Sequence, residues 1–165
     1  MSQFEPYRLE NDKVNASYHY QMLQNCLHFN DGKGNFTKRN ILPDIKAVSS
    51  TVAVSDIDND GDLDLFIGGG VKPGEYPLSS PSYFLINDSG KFIKEKQNRI
   101  DTTESIAMVN KALFSDIDND NDQDLILVGE WMPVMVFENH RGAFKNKEIE
   151  SLKDLSGWYF TIIHT

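Results

Sequence analysis

The sequence predicts an all-β chain of short, evenly spaced strands, and three observations carry that prediction. An acidic ten-residue window occurs twice at a spacing of 60 residues, each copy set between two apolar runs. A turn in which an apolar stretch meets Asn, then Gly, then Phe occurs three times. Apolar residues at the spacing of an amphipathic helix are absent almost everywhere, so nothing competes with the strand reading.

Composition bounds the rest. A chain of 165 residues with 39% hydrophobic and 11% aromatic residues is long enough for one domain with a sizeable core. No apolar run approaches the roughly 20 residues of a membrane helix. The opening residues, Met1 to Pro6, lack the basic and apolar regions of a secretory leader. A formal charge of −9 repels phosphate and argues against a nucleic-acid surface. That charge is local: ten of the 25 acidic residues lie in the two windows, and the remaining 15 balance 16 Lys and Arg.

Taken in order, the first strand is the apolar stretch around Cys26, Leu27, His28 and Phe29, turning through Asn30 and Gly32 into Phe36. Cys26 is the only cysteine, has no intramolecular partner and is expected to be a small buried side chain. His28 is expected to be a half-buried packing residue. The run 51–54 leads into the first acidic window, and 65–67 leaves it toward Gly68, Gly69 and Gly70, read as a tight strand end. Residues 72–81 follow with three prolines, which are expected to keep the stretch open. The run 83–86 turns through Asn87 and Gly90 into Phe92. The pattern then repeats as 112–114, the second window, 125–128, and 134–137 turning through Asn139 and Gly142 into Phe144. Asn and Gly tolerate the positive φ of a tight hairpin. The stretch 151–157 is expected to make a short turn of helix before the apolar run 158–163.

Each unit therefore holds about four strands, the size of a propeller blade. A period of 60 allows about 2.75 units, fewer than a closed propeller needs. The chain is accordingly expected to be a single partial β-propeller domain spanning 1–165. Its repeats fall near 1–50, 51–110 and 111–165, the first and last partial, as in a piece of a longer repeat protein.

The windows carry the chemistry. Asp56, Asp58, Asp60, Asp62 and Asp64 alternate along the first, and Asp116, Asp118, Asp120, Asp122 and Asp124 along the second. Five carboxylates cannot share so small a volume without a cation. Hard oxygen ligands of this number suit Ca²⁺, and two sites are expected. The side chains at the first, third, fifth and ninth positions are expected to serve as ligands, with the backbone carbonyls of Asp62 and Asp122. Gly61 and Asn121 occupy the sixth position, where the chain turns sharply. An EF-hand is excluded, since its twelfth position requires Glu and these windows place Ile67 and Leu127 there. Mg²⁺ is disfavoured because it keeps several waters.

These loops, followed by Leu65-Phe66-Ile67-Gly68-Gly69-Gly70 and joined to the Asn30-Asp31-Gly32-Lys33-Gly34-Asn35-Phe36 turn, resemble FG-GAP or VCBS-type repeats. The resemblance covers roughly 26–163. It implies a Ca²⁺-binding β-propeller of the kind found in integrin α chains and many secreted bacterial proteins, with extracellular ligand binding or adhesion as its work. Asn121 departs from the family's Gly, and the bacterial VCBS form is the closer match.

Catalysis finds little support. The four histidines are scattered, no nucleophile elbow or phosphate loop is present, and the carboxylates are committed to the loops. The expected function is a non-enzymatic, secreted or cell-surface module for ligand binding, adhesion or scaffolding. Alternatives are an accessory segment of a secreted enzyme such as a polysaccharide lyase, or an assembly module in which copies close a ring. Expected partners are an extracellular protein or carbohydrate, the remaining blades of a parent protein, or other copies of the chain. Tyr76, in the 72–81 stretch, and Trp131 are the candidate ligand contacts. Trp131 and Trp158 are otherwise expected to pack between blades.

Overall fold

The computed structural model describes residues 24–45, 47–95, 99–100, 106–152 and 154–163. Among them every regular element is a strand. β1 (Leu27–Asn30) and β2 (Phe36–Arg39) form an antiparallel hairpin. β3 (Ser49–Ser55), β4 (Asp64–Gly69), β5 (Tyr83–Asp88) and β6 (Lys91–Glu95) form a four-stranded antiparallel meander. β7 (Met108–Ser115), β8 (Asp124–Pro133), β9 (Met135–His140) and β10 (Ala143–Asn146) repeat it. β11 (Ser156–Trp158) pairs with the far end of β8. Glu130 pairs with Met108 on one side and Trp158 on the other, so β11 lies along the same edge of β8 as β9. The sheets are β-propeller-like repeats, and no helix among the described residues is long and apolar enough to cross a membrane.

The central strands are apolar on both faces because both faces are covered. Every residue of β4 is buried. Its Phe66 joins Ala53 and Phe84 in a core shared with Val109, Leu125, Leu127 and Phe137 of the second sheet. Its Leu65 and Ile67 face the other way, with Leu85, onto Ile45 and Ala47 of the segment before β3. Phe144, on β10, stacks on Phe84 with centroids 5.0 Å apart, closing the two sheets together. Gly68 and Gly69 end β4 where no side chain fits. A Cβ on Gly69 would lie 1.9 Å from the carbonyl oxygen of Ser80. The glycine run is therefore the tight strand end that was expected.

Several local expectations are corrected. Cys26 is exposed, as is His28: among the described residues the β1–β2 hairpin is a sheet of only two strands. The stretch 72–81 is closed rather than open: Lys72 and Leu78 bond each other's neighbourhood through Lys72 N to Leu78 O at 2.7 Å and Leu78 N to Glu75 O at 2.8 Å. No helix forms among the described residues of 151–157. Two successive turns there deliver the chain to β11, and 159–163 has no regular structure. Trp131 and Trp158 are exposed, not buried between sheets.

The hairpin Phe residues make the energetics testable. Phe137 and Phe144 are buried, whereas Phe36 is 65% exposed. Phe137→Ala is expected to lower stability by about 3–5 kcal/mol. Phe36→Ala should change it by less than about 0.5 kcal/mol. Urea unfolding of both variants, compared at constant slope, checks the contrast.

Candidate metal centre

Each acidic window is the connection between the first two strands of a sheet: 56–63 joins β3 to β4, and 116–123 joins β7 to β8. The chain turns back through left-handed residues, Asn59 (φ 61°) and Gly61 (φ 92°) in the first loop, Asn119 (φ 62°) and Asn121 (φ 72°) in the second. Gly61 and Asn121 were expected there. The roles of Asn59 and Asn119 were not anticipated, although Asn is the residue type that visits this region most readily after Gly.

The loops are held by their own carboxylates. Asp56 accepts from the backbone N–H groups of Asp60 (3.1 Å) and Gly61 (3.0 Å), and Asp60 accepts from Asp62 (2.9 Å). Asp116 accepts likewise from Asp120 and Asn121, both at 3.1 Å, and Asp120 from Asp122 at 2.8 Å. Asp64 and Asp124 are buried at the loop exits. The two oxygens of Asp64 take Ile57 N (2.9 Å) and Asn87 N (2.8 Å). Those of Asp124 take Ile117 N (2.9 Å) and Asn139 N (2.8 Å). Burial pushes both carboxyls above the ordinary carboxylate range, against the pull of those N–H donors, and the neighbouring loop carboxylates add to the rise.

Asp62 and Asp122 point elsewhere. Asp62 accepts from Ser89 N at 3.2 Å, and Asp122 from Arg141 N at 3.0 Å, so each pins its loop to the turn of the following hairpin. The Arg141 N–H, and after it Asn59, hold the Asp122 carboxyl below its usual range. One carboxylate oxygen of Asp62 and both of Asp122 are thus engaged in hydrogen bonds. Three carboxylates of each loop converge instead. Oxygens of Asp56, Asp58 and Asp64 lie within 4.8 Å of one another, as do those of Asp116, Asp118 and Asp120. Asp60 stays outside the first group and Asp124 outside the second, so the two loops are not identical.

This donor set could hold a hard metal ion. The oxygens are hard and clustered, and Asp58 Oδ1 is buried without a hydrogen-bond partner. The other oxygen of Asp58 pairs with Arg99 at 3.4 Å.

Two supporting residues were missed. Asn87 and Asn139 look like ordinary turn residues, yet each delivers its backbone N–H to the buried Asp and accepts from a hairpin Gly through Oδ1. Their recurrence beside each hairpin Gly was the signal. Tyr76 and Trp131, by contrast, are brought together: Trp131 Nε1 donates to Tyr76 Oη at 2.8 Å, and Trp158 meets Trp131 edge-on at 5.2 Å. Both Trp131 and Tyr76 belong to the end of the sheets opposite the acidic loops, since Trp131 lies near the far end of β8 and Tyr76 between β4 and β5.

Stacked four-stranded meanders with an acidic loop between the first two strands define a blade-type repeat protein. The family model described as FG-GAP-like repeat matches residues 12–67, about a third of the chain, and that segment carries an FG-GAP-like repeat. It contains the first acidic loop. No curated protein and no solved structure matches the chain.

The two Asn residues differ in burial, and this generates a prediction. Asn139 is 1% exposed and also donates to Ile57 O at 3.0 Å, while Asn87 is only partly buried. Asn139→Ala should cost about 1–3 kcal/mol through unsatisfied buried groups, and Asn87→Ala clearly less. Thermal melts of the two variants side by side decide it.

Proposed function

We propose that this chain is a non-enzymatic Ca²⁺-binding repeat module of a secreted or cell-surface protein, serving ligand binding, adhesion or scaffolding. The observation that carries the reading is the convergence of three carboxylates in each of the two acidic loops, with Asp58 Oδ1 lacking a hydrogen-bond partner. Asp56, Asp58 and Asp64 would hold one ion, and Asp116, Asp118 and Asp120 the other. Bound Ca²⁺ neutralises the crowded carboxylates. Because Asp56 follows the end of β3 and Asp64 opens β4, ligation there ties the two strands together and stiffens one end of the sheet. Ca²⁺ is plentiful outside cells and scarce inside, which supports the extracellular placement.

The test is the melting temperature in excess Ca²⁺, in EDTA, and in Mg²⁺ as control. At about 100 times the dissociation constant, each site should add roughly 2.7 kcal/mol, a rise of several degrees with Ca²⁺ alone. Asp116→Asn should remove about half the rise. An unchanged melt in Ca²⁺ would sink the metal reading and reopen a carboxylate-based activity.

The exposed aromatic end supports carbohydrate as the ligand. Trp131, Tyr76 and Trp158 are 62%, 57% and 54% exposed, with Trp131 touching both others, and the apolar face of a sugar ring stacks on such a surface. Trp131 is held at φ 58°, a conformation unusual for a bulky side chain. A glycan array should give signal that Tyr76→Ala and Trp131→Ala both abolish without altering the Ca²⁺-dependent melt. A silent array excludes the carbohydrate ligand.

A further inference from the structure

Three successive residues of the first acidic loop reach into the second repeat. Asn59 Nδ2 donates to Asp122 Oδ1 at 2.6 Å, directly from one loop to the other. Ile57 O accepts from Asn139 Nδ2 at 3.0 Å, and the backbone N–H of the same Asn139 bonds Asp124 of the second loop at 2.8 Å. Asp58 pairs with Arg99, whose guanidinium also donates to Gly142 O at 2.9 Å and is held by Glu95. The 57–139 bond is buried.

From this geometry we propose that the two loops bind divalent cations with positive cooperativity, each ion raising the affinity of the other loop. The inference rests on the Ca²⁺ reading above. Coupling needs an element with two states that both sites bias. Here that element is the ordered conformation of each loop, which brings together carboxylates that repel one another until a cation is drawn in. The cross-loop bonds form only when both loops are ordered. Asn59 must hold its left-handed turn to reach Asp122, and the second loop must hold Asp122 against Arg141 to receive it. An ion that orders one loop therefore lowers the ordering cost of the other, and linkage makes the effect reciprocal.

Long-range electrostatics acts in the opposite sense, because filling one loop weakens the negative potential at the other. At 0.15 M salt the Debye length is about 8 Å, so salt weakens this opposing term only for charges farther apart than that. Positive cooperativity requires that the short-range cross-loop bonds outweigh it.

Isothermal titration of the full chain with Ca²⁺ at physiological salt tests this. Asp56→Asn disables the first loop while keeping an acceptor for the Asp60 N–H. It should bind one ion, about 5-fold or more weakly than the second loop binds in the wild type. Asn59→Gly preserves the left-handed turn and removes only the amide that reaches Asp122. It should still bind two ions, and in its background Asp56→Asn should weaken the second loop by a smaller factor. Should Asp56→Asn fail to fold, the stepwise constants of Asn59→Gly against wild type still read the coupling, and should show the second step weakened relative to the first. No uptake by the wild type would overturn the cation reading and the coupling with it. Two ions bound with a second-loop affinity indifferent to Asp56→Asn, or with step constants unchanged by Asn59→Gly, would overturn the coupling alone.

Discussion

Gathering five carboxylates into a nine-residue loop is the constraint on which each repeat depends. Two unit charges 4 Å apart repel by about 4 kcal/mol at an effective dielectric of 20, so such a loop does not form unless the charge is met. Backbone N–H groups meet part of it. Asp56 and Asp116 each accept two, and the buried Asp64 and Asp124 each accept one from their own loop and one from the next hairpin. What these donors leave over, notably at Asp58 Oδ1, is what a cation would take.

That arrangement dictates how a sheet is built. Because Asp64 and Asp124 take an N–H from Asn87 and Asn139, the turn after the third strand must sit beside the loop between the first two. Asp62 and Asp122 bind the same turns through Ser89 and Arg141. The acidic loop and the hairpin turn thus form one end of each sheet, bound by hydrogen bonds, while the opposite end is free to carry the aromatic cluster. The long third-strand approach, closed through residues 70–80 by backbone bonds, is what that freedom permits.

Packing between repeats follows a single rule seen from two sides. Residues facing the preceding segment, such as Leu65, Leu85 and Phe92 in the first sheet, correspond to Leu125, Phe137 and Phe144 in the second. Those facing onward, Phe66 and Ile57, are buried only because a second sheet lies over them. Val52 and Val54, on the same face as Leu65 and Ile67, are about half exposed because the segment holding Ile45 and Ala47 does not reach β3.

The strands, their order, the acidic loops and the left-handed positions Gly61 and Asn121 were legible in the sequence because they are local: alternation, turn chemistry and charge spacing act within a few residues. Cys26, His28 and Trp131 were misjudged because burial depends on which surface lies opposite, and no local pattern states that. The same holds for the site. The sequence by itself determined which residues crowd together in the loops, since their spacing along one turn leaves no alternative. Only the tertiary structure decided which of them converge, that Asn139 closes the first loop from 82 residues away, and that Asn59 meets Asp122. Those contacts come from stacking one sheet upon another, and long-range packing is not written in any single segment.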